Sequence, residues 1–177
     1  MKIHEYQAKE IFARYAIPVT REILCYTTAE ALAAAEKLGF PAVVKAQVLT
    51  GGRGKAGGVK LVKNKEEAQK AAETILGMDI KGYKVEKILV AEGVKFHSEL
   101  YVGLTIDRNS KSVILMASKE GGVEIEEVAK DNPDAILKFP IEADLGMPSF
   151  LARKMAFQLF DDFSLVKQAA DIFQKLY

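Results

Sequence analysis

The sequence predicts an α+β protein with two lobes, and three observations support this class. Capped helical segments alternate with short β-type runs through the first half of the chain. A second strand-rich unit follows and ends in a long helical segment. Apolar residues make up 49% and charged residues 28% of the 177 residues, as in a soluble globular protein. We expect residues 20–94 to form the first lobe and residues 1–19 with 95–177 to form the second.

Local signals define the elements of the first half. An amphipathic first helix is ended by Pro18. A capping box from Thr27 to Glu30 opens an alanine-rich helix that stops at Gly39, and Asn64 caps a third helix. The predicted helices are His4–Tyr15, Thr27–Gly39 and Asn64–Leu76, and the predicted strands are Val19–Tyr26, Pro41–Val48, Val59–Val62 and Val85–Glu92.

The second half has its own signals. A polar turn at residues 108–111 predicts a hairpin, and Pro133 ends a short helix. Asp161 and Asp162 mark where the terminal helix could divide. The predicted strands are Leu100–Asp107 and Ser112–Ser118, and the predicted helices are Ile125–Asp131 and Phe150–Tyr177.

Charge and composition exclude several classes of function. The net charge is +1, from 25 basic and 24 acidic residues, so the chain lacks the excess of basic residues that is typical of nucleic-acid-binding proteins. No apolar run reaches transmembrane length, so we expect no membrane association. Cys25 is the only cysteine, which excludes an intrachain disulfide and predicts a reducing, cytoplasmic location. Two histidines and one cysteine make no plausible metal cluster, so we assign no metal ligand in this chain.

A glycine-rich stretch, QVLTGGRGKAGGVK at residues 47–60, is the strongest functional signal. It lies between two β-type runs, and its glycines allow the backbone to approach a ligand closely. Successive backbone N–H groups in such a loop can bind an anion. Lys45, Arg53, Lys55 and Lys60 add positive charge. The stretch therefore predicts a site for a polyphosphate, with a loop that is mobile when no nucleotide is bound.

The known phosphate loops differ in how well they fit. A Walker loop needs a hydroxyl residue after Gly54-Lys55, but Ala56 stands there. Residues 52–57 match the dinucleotide pattern Gly-x-Gly-x-x-Gly, which must open a helix, whereas a strand follows here. A flap between two strands, laid over phosphates as in protein kinases, fits best. A flexible surface hairpin whose charges serve solubility is the alternative.

Six stretches follow one another along nearly the whole chain: residues 4–9 (HEYQAK), 43–45 (VVK), 51–60 (GGRGKAGGVK), 99–103 (ELYVG), 107–108 (DR) and 120–129 (EGGVEIEEVA). In this order they resemble the β subunits of succinyl-CoA synthetases, which are ADP-forming succinate–CoA ligases. Related acyl-CoA ligases, such as malate–CoA ligase and the citrate-lyase lineage, share parts of the pattern. The resemblance implies an ATP-grasp fold.

The resemblance also implies roles for particular residues. Lys45 would contact the nucleotide phosphates, and Gly52, Arg53 and Gly54 would form the flap over them. Lys45 could instead be a strand lysine that extends its ammonium group to solvent. None of these residues would be a covalent catalyst.

The resemblance assigns the nucleoside to two further places. The segment from Ala91 to Val94 would be the hinge whose backbone hydrogen-bonds the adenine edge, although the family usually has an acidic residue in place of Ala91. Glu99 would bind the ribose hydroxyls, and an ordinary exposed carboxylate is the alternative. Glu124, Glu126 and Glu127 look like catalytic or metal carboxylates, but a solvated helix start is favoured.

For the complete enzyme, the resemblance implies ATP, Mg²⁺, succinate and CoA as ligands and an α subunit as partner. ATP would phosphorylate a histidine of that subunit, succinate would take the phosphoryl group, and CoA would displace phosphate. The family's magnesium ligands and CoA-ligase domain would follow Tyr177, so we expect a truncated chain that is inactive by itself. Another ATP-grasp acyl-CoA ligase and a non-catalytic nucleotide-binding module are the alternatives.

Overall fold

Residues 2–123 and 125–177 are described by the computed structural model, and they group into two units that meet in sequence at Lys95 and Phe96. Each unit has its own hydrophobic core. Among the described residues, none of the helices combines the length and the apolar character needed to cross a membrane. Glu124, one of the three glutamates considered above, lies outside the described residues.

The first unit contains three helices and six strands within the described residues. They are α1 (Glu5–Arg14), β1 (Glu22–Cys25), α2 (Thr28–Leu38), β2 (Ala42–Ala46), β3 (Val59–Val62), α3 (Lys65–Ile75), β4 (Asp79–Ile80), β5 (Tyr83–Lys84) and β6 (Ile88–Glu92). Four of the strands form an antiparallel sheet with the order β1-β6-β2-β3. A two-stranded hairpin, β4-β5, lies between α3 and β6 in the sequence.

The core of the first unit forms where α2 and α3 cover one face of this sheet. Small alanine side chains of both helices allow close approach to the strands, and Ile75 of α3 is fully buried there. On β2 the buried residues Ala42, Val44 and Ala46 alternate with half-buried ones. Because side chains alternate between the faces of a strand, Lys45 lies on the face opposite the core.

Helix starts in this unit follow the predicted capping chemistry. The Thr27 hydroxyl accepts a hydrogen bond from the Glu30 amide at 3.2 Å, and Glu30 Oε2 accepts one from the Tyr26 amide at 2.7 Å. Asn64 Oδ1 accepts from the Glu67 amide at 2.8 Å. Caps of this kind stabilise a helix by about 1 kcal/mol each.

The second unit contains strands, helices and a 3₁₀ turn. Its elements are β7 (Tyr101–Asp107), β8 (Ser112–Ser118), α4 (Ile125–Asp131), the 3₁₀ turn (Pro133–Ala135), β9 (Leu137–Ile141), α5 (Ser149–Leu159) and α6 (Phe163–Leu176). The strands form an antiparallel sheet with the order β7-β8-β9. Helices α5 and α6 pack against each other, and their core includes Met155, Val166 and Phe173. The Asp162 carboxylate accepts a hydrogen bond from the Ser164 amide at 2.7 Å and caps α6.

The two units differ from the lobes that the sequence analysis drew. That analysis grouped residues 1–19 with 95–177, whereas α1 belongs to the first unit. Two ion pairs attach α1 to strands of the first unit: Lys9 of α1 pairs with Glu22 of β1 at 2.6 Å, and Glu5 pairs with Lys45 of β2 at 3.1 Å. The first unit therefore includes the helix that carries Glu5.

Candidate functional site

The glycine-rich loop between β2 and β3 folds into successive tight turns. The Ala56 amide donates to the Gly52 carbonyl at 3.0 Å, and the Gly58 amide donates to the Arg53 carbonyl at 2.8 Å. Gly52 has a φ of +78°, in the left-handed region that favours glycine. Within residues 2–123 and 125–177, the amides of Gly52, Arg53 and Gly54 donate to no protein group. These three amides are free to receive an anion.

Two cationic side chains converge on one carboxylate beside this loop. Lys45 Nζ lies 3.1 Å from Glu5 Oε1, and Arg53 Nη1 lies 2.9 Å from Glu5 Oε2. Lys9 Nζ, one turn further along α1, lies 3.3 Å from Glu5 Oε1. Arg53 Nη1 also donates to the Ala46 carbonyl at 2.9 Å, which fixes its guanidinium against the end of β2. The structure thus brings together Lys45 and Arg53, as the phosphate-site prediction requires.

The electrostatics of Glu5 show that this location favours negative charge. The Glu5 side chain is only 19% exposed, and its burial opposes ionisation. The charges of Lys45, Arg53 and Lys9 more than offset that burial and lower the pKa of Glu5 to about 2. Glu5 Oε2 is buried and touches Arg53 Nη1 outside hydrogen-bond geometry. A phosphate oxygen at the same place would meet the same three cations.

Aromatic and polar side chains lie beside these charges, at the start of α1, just after β2 and just before β6. The rings of His4 and Tyr6 stack with centroids 5.7 Å apart, and Lys87 Nζ lies 5.5 Å from the Tyr6 ring centroid. Burial, Lys87 and Arg53 lower the pKa of His4, so its imidazole tends to be neutral. The Tyr6 amide donates to Oε1 of the buried Gln47 at 3.4 Å, which ties α1 to the loop.

Glu5 and Gln47 are site residues that the sequence analysis did not assign. Both lie inside stretches that it did examine, since Glu5 is in the motif HEYQAK and Gln47 begins the glycine-rich stretch. The contact between Glu5 and Lys45 joins residues 40 positions apart. No local pattern predicts which cation a first-turn carboxylate will meet, although its place near a helix N-terminus is typical of Glu.

The proposed hinge begins inside the sheet. Ala91 is buried on the central strand β6, opposite Glu22 of β1 and Val43 of β2. With paired strands on both sides, the backbone groups of Ala91 are taken up by the ladder. The Gly93 amide donates to the Pro41 carbonyl at 2.8 Å.

Val94 is the residue of this segment that is open to a ligand. Its side chain is 53% exposed. Within the described part of the chain, its amide donates to no other group. If the segment contacts a base edge, the Val94 amide rather than the Ala91 backbone is placed to donate.

Glu99 belongs to the second unit and lies two residues before the start of β7. Its carboxylate lies against Gly122, where an added Cβ would collide with Glu99 Oε2. An added Cβ at Gly121 would collide with the Glu99 backbone. Glycines at both positions therefore allow the loop at residues 120–122 to pack against Glu99, which itself is exposed.

The described residues are expected to include few metal ligands or nucleophiles, and three groups of side chains bear on this. Among the described residues, no group of three or more His, Cys, Asp or Glu side chains could hold a metal ion. Glu126 and Glu127 lie exposed in the first turn of α4, where their charge suits the helix dipole. Burial and the nearby Glu30 raise the pKa of Cys25 to about 11, so that this thiol is a packing group and a poor nucleophile.

A family model for the ATP-grasp domain matches residues 2–177. The chain belongs to the ATP-grasp family.

Curated relatives match this chain over its whole length. A succinate–CoA ligase [ADP-forming] subunit β from Bacteroides thetaiotaomicron is 56% identical over 178 residues, which cover 100% of this chain and 47% of that protein. Proteins of the same name from Chloroflexus aurantiacus and Haloarcula marismortui are 53% and 50% identical, again over 100% of this chain and 47% and 46% of theirs. The chain thus spans about half the length of the curated relatives it matches.

Solved structures share the fold. A Pyrococcus horikoshii protein matches with a TM-score of 0.73 and 27% identity, over 98% of this chain and 76% of that one. A dinucleotide-forming acetyl-coenzyme A synthetase from Ca. Korarchaeum cryptofilum, solved with coenzyme A and Ca-AMPCP, matches with a TM-score of 0.75 and 24% identity, over 97% and 80%. At that identity the second likeness shows the fold alone.

Proposed function

We propose that this chain is the nucleotide-binding part of a succinate–CoA ligase β subunit and that Lys45 and Arg53 bind the phosphates of ATP. Identity of 50–56% to curated β subunits supports the assignment to that ligase. The observation that carries the phosphate role is the convergence of Lys45 and Arg53 on a single half-buried carboxylate, that of Glu5.

The loop supplies the second part of the proposed phosphate site. Within the described residues, the amides of Gly52, Arg53 and Gly54 donate to no protein group, and they lie in the loop that connects β3 to the strand that holds Lys45. Fixed amides and cations that stabilise charge on a transferring phosphoryl group contribute to catalysis without covalent chemistry. Each charge-assisted contact of this kind is worth about 1.5–3 kcal/mol. In this proposal the chain binds and orients ATP and offsets its charge.

The nucleoside contacts are proposed on separate grounds. The Val94 amide, exposed at the end of the Ala91–Val94 segment, would donate to the adenine edge. Glu99, held against Gly121 and Gly122, would accept from the ribose hydroxyls. We assign no ligand of Mg²⁺ among the described residues and no step to a metal held by them.

The complete ligase would act in three transfers. ATP would phosphorylate a histidine of a partner α subunit, succinate would accept that phosphoryl group as an acyl phosphate, and CoA would displace phosphate to give succinyl-CoA. The curated relatives are named as β subunits of an ADP-forming ligase, which supports ATP as donor and an α subunit as partner. A cytoplasmic location fits the single buried free thiol of Cys25.

Calorimetric titration with ATP tests the phosphate site. We expect Lys45→Ala to weaken ATP binding by about 1.5–3 kcal/mol, or roughly ten- to a hundredfold. Lys37→Ala is the matched control, because Lys37 is an exposed lysine in the last turn of α2 and should leave affinity unchanged. Equal ATP affinity of the wild type and Lys45→Ala would refute the site. A panel of carboxylic acids assayed with the complete ligase would test succinate as the substrate.

A further inference from the structure

Glu5 occupies the two cations to which the proposed function assigns phosphate. Its two carboxylate oxygens lie 3.1 Å from Lys45 Nζ and 2.9 Å from Arg53 Nη1. The side chains of Lys45 and Arg53 are only 24% and 26% exposed, so little of either charge is left for a second anion. A phosphate that approached with Glu5 in place would meet a like charge at contact distance.

The carboxylate has an advantage over any dissolved anion. Glu5 is part of α1, which Lys9 ties to Glu22 at 2.6 Å and the Tyr6 amide ties to Gln47 at 3.4 Å. A group that is tethered near its site has a high effective concentration there. A singly charged anion interacts with the two cations no more strongly than the Glu5 carboxylate does, so it has no advantage over the tethered group. A polyphosphate carries several negative charges and interacts with them more strongly.

We propose that Glu5 is an intramolecular competitor for phosphate, which holds Lys45 and Arg53 together until the polyphosphate of a nucleotide displaces it. This inference rests on the proposed function, since it assumes that phosphate binds to these two residues. In the absence of nucleotide, Glu5 keeps the two cations paired and the Arg53 side chain attached to α1. On binding, the carboxylate leaves both cations and turns toward solvent, and the first turn of α1 loses its ion pairs with Lys45 and Arg53.

The test uses inorganic tripolyphosphate and ATP as probes and Glu5→Gln as the perturbation. Glutamine keeps the size of the side chain and removes the charge, so both cations become available. We expect Glu5→Gln to bind tripolyphosphate and ATP about tenfold more tightly than the wild type does. Adenosine, which has no phosphate, should bind with unchanged affinity, and this outcome separates lost competition from a change in fold.

Two matched variants complete the design. Glu10→Gln removes an exposed carboxylate from the same helix and should change neither affinity. Glu5→Asp keeps the charge but shortens the side chain by one methylene, and it should give an intermediate gain even if Glu5→Gln folds poorly. In a Lys45→Ala background, the gain from Glu5→Gln should shrink, because one of the two released cations is missing.

The outcomes separate this inference from the proposed function. If Lys45→Ala weakens ATP binding but Glu5→Gln leaves tripolyphosphate affinity equal or weaker, Glu5 positions the cations and does not compete, and the inference is overturned. If Lys45→Ala has no effect on ATP, the phosphate site itself is wrong. If Glu5→Gln binds tripolyphosphate more tightly and adenosine with unchanged affinity, the result supports both the phosphate site and the competition by Glu5.

Discussion

Gly93 closes the end of the central strand, and replacing it with alanine should destabilise the first unit. The Gly93 amide donates to the Pro41 carbonyl at 2.8 Å. A Cβ at residue 93 would lie 2.5 Å from the Pro41 carbonyl oxygen and 2.9 Å from its carbonyl carbon, which is far inside contact distance. Because the obstacle is backbone, no rotamer change can relieve the collision, and the two chain segments must move apart.

The expected cost has two parts. Overpacking of this kind costs about 1–3 kcal/mol. Loss of the amide–carbonyl hydrogen bond adds about 0.5–1.5 kcal/mol. We therefore expect Gly93→Ala to lower the free energy of unfolding by roughly 2–4 kcal/mol.

Urea-induced unfolding followed by circular dichroism measures this loss, and hydrogen exchange of the β2 and β6 amides assigns it to the first unit. Gly51→Ala is the control, since a Cβ there meets nothing within 4 Å and residue 51 lacks a positive φ. That variant should stay within about 0.5 kcal/mol of the wild type. A similarly small change in Gly93→Ala would refute the packing argument for this segment.

Two further predictions concern the charged site. Although burial opposes its ionisation, Glu5 has a pKa of about 2 against an ordinary value of 4.5, because Lys45, Arg53 and Lys9 surround it. The ion pairs therefore contribute stability, roughly 3 kcal/mol at most, that is fully present above pH 4.5 and lost as the pH falls toward 2. Between pH 4.5 and 2, the free energy of unfolding should depend less on pH in Glu5→Gln than in the wild type. The same pH dependence in both proteins would contradict the lowered pKa of Glu5. Arg53→Ala should speed hydrogen exchange of the loop amides of Ala56 to Gly58 by roughly tenfold, because Arg53 anchors that loop to Glu5 and to the Ala46 carbonyl. Exchange that matches the Lys37→Ala control would show that other contacts hold the loop.

Elements with strong local chemistry were predictable from the sequence. The caps of α2 and α3 lie at Thr27 and Asn64 as predicted, because an N-cap needs only a side chain and an amide two or three residues away. The break in the terminal helix lies at Asp162 for the same reason. The family assignment is also confirmed, since the ATP-grasp model matches residues 2–177.

Elements that depend on distant partners were missed or misplaced. Strand β9 includes Pro140, which argues against a strand, yet β9 pairs with β8 at the edge of its sheet, where a missing N–H can be tolerated. The β4-β5 hairpin has strands of two residues each, too short for any periodicity. Helix α1 was predicted in the second lobe, and its ion pairs to Glu22 and Lys45 of the first unit join residues far apart in the sequence, which no local pattern of α1 predicts.

The position of Lys45 follows from the packing of the core rather than from its own interactions. Ala42, Val44 and Ala46 point toward α2 and α3 and are fully buried, so the register of β2 is set by its apolar face. That register places Lys45 opposite Leu89 on one side and Val59 on the other, with its side chain on the face away from the core. A shift by one residue would bury the ammonium group among alanines and expose the apolar face, at a cost of several kcal/mol. The stability of the core therefore keeps Lys45 beside Glu5 and the loop, and changes to the buried residues of β2 should alter phosphate binding only when they also destabilise the sheet.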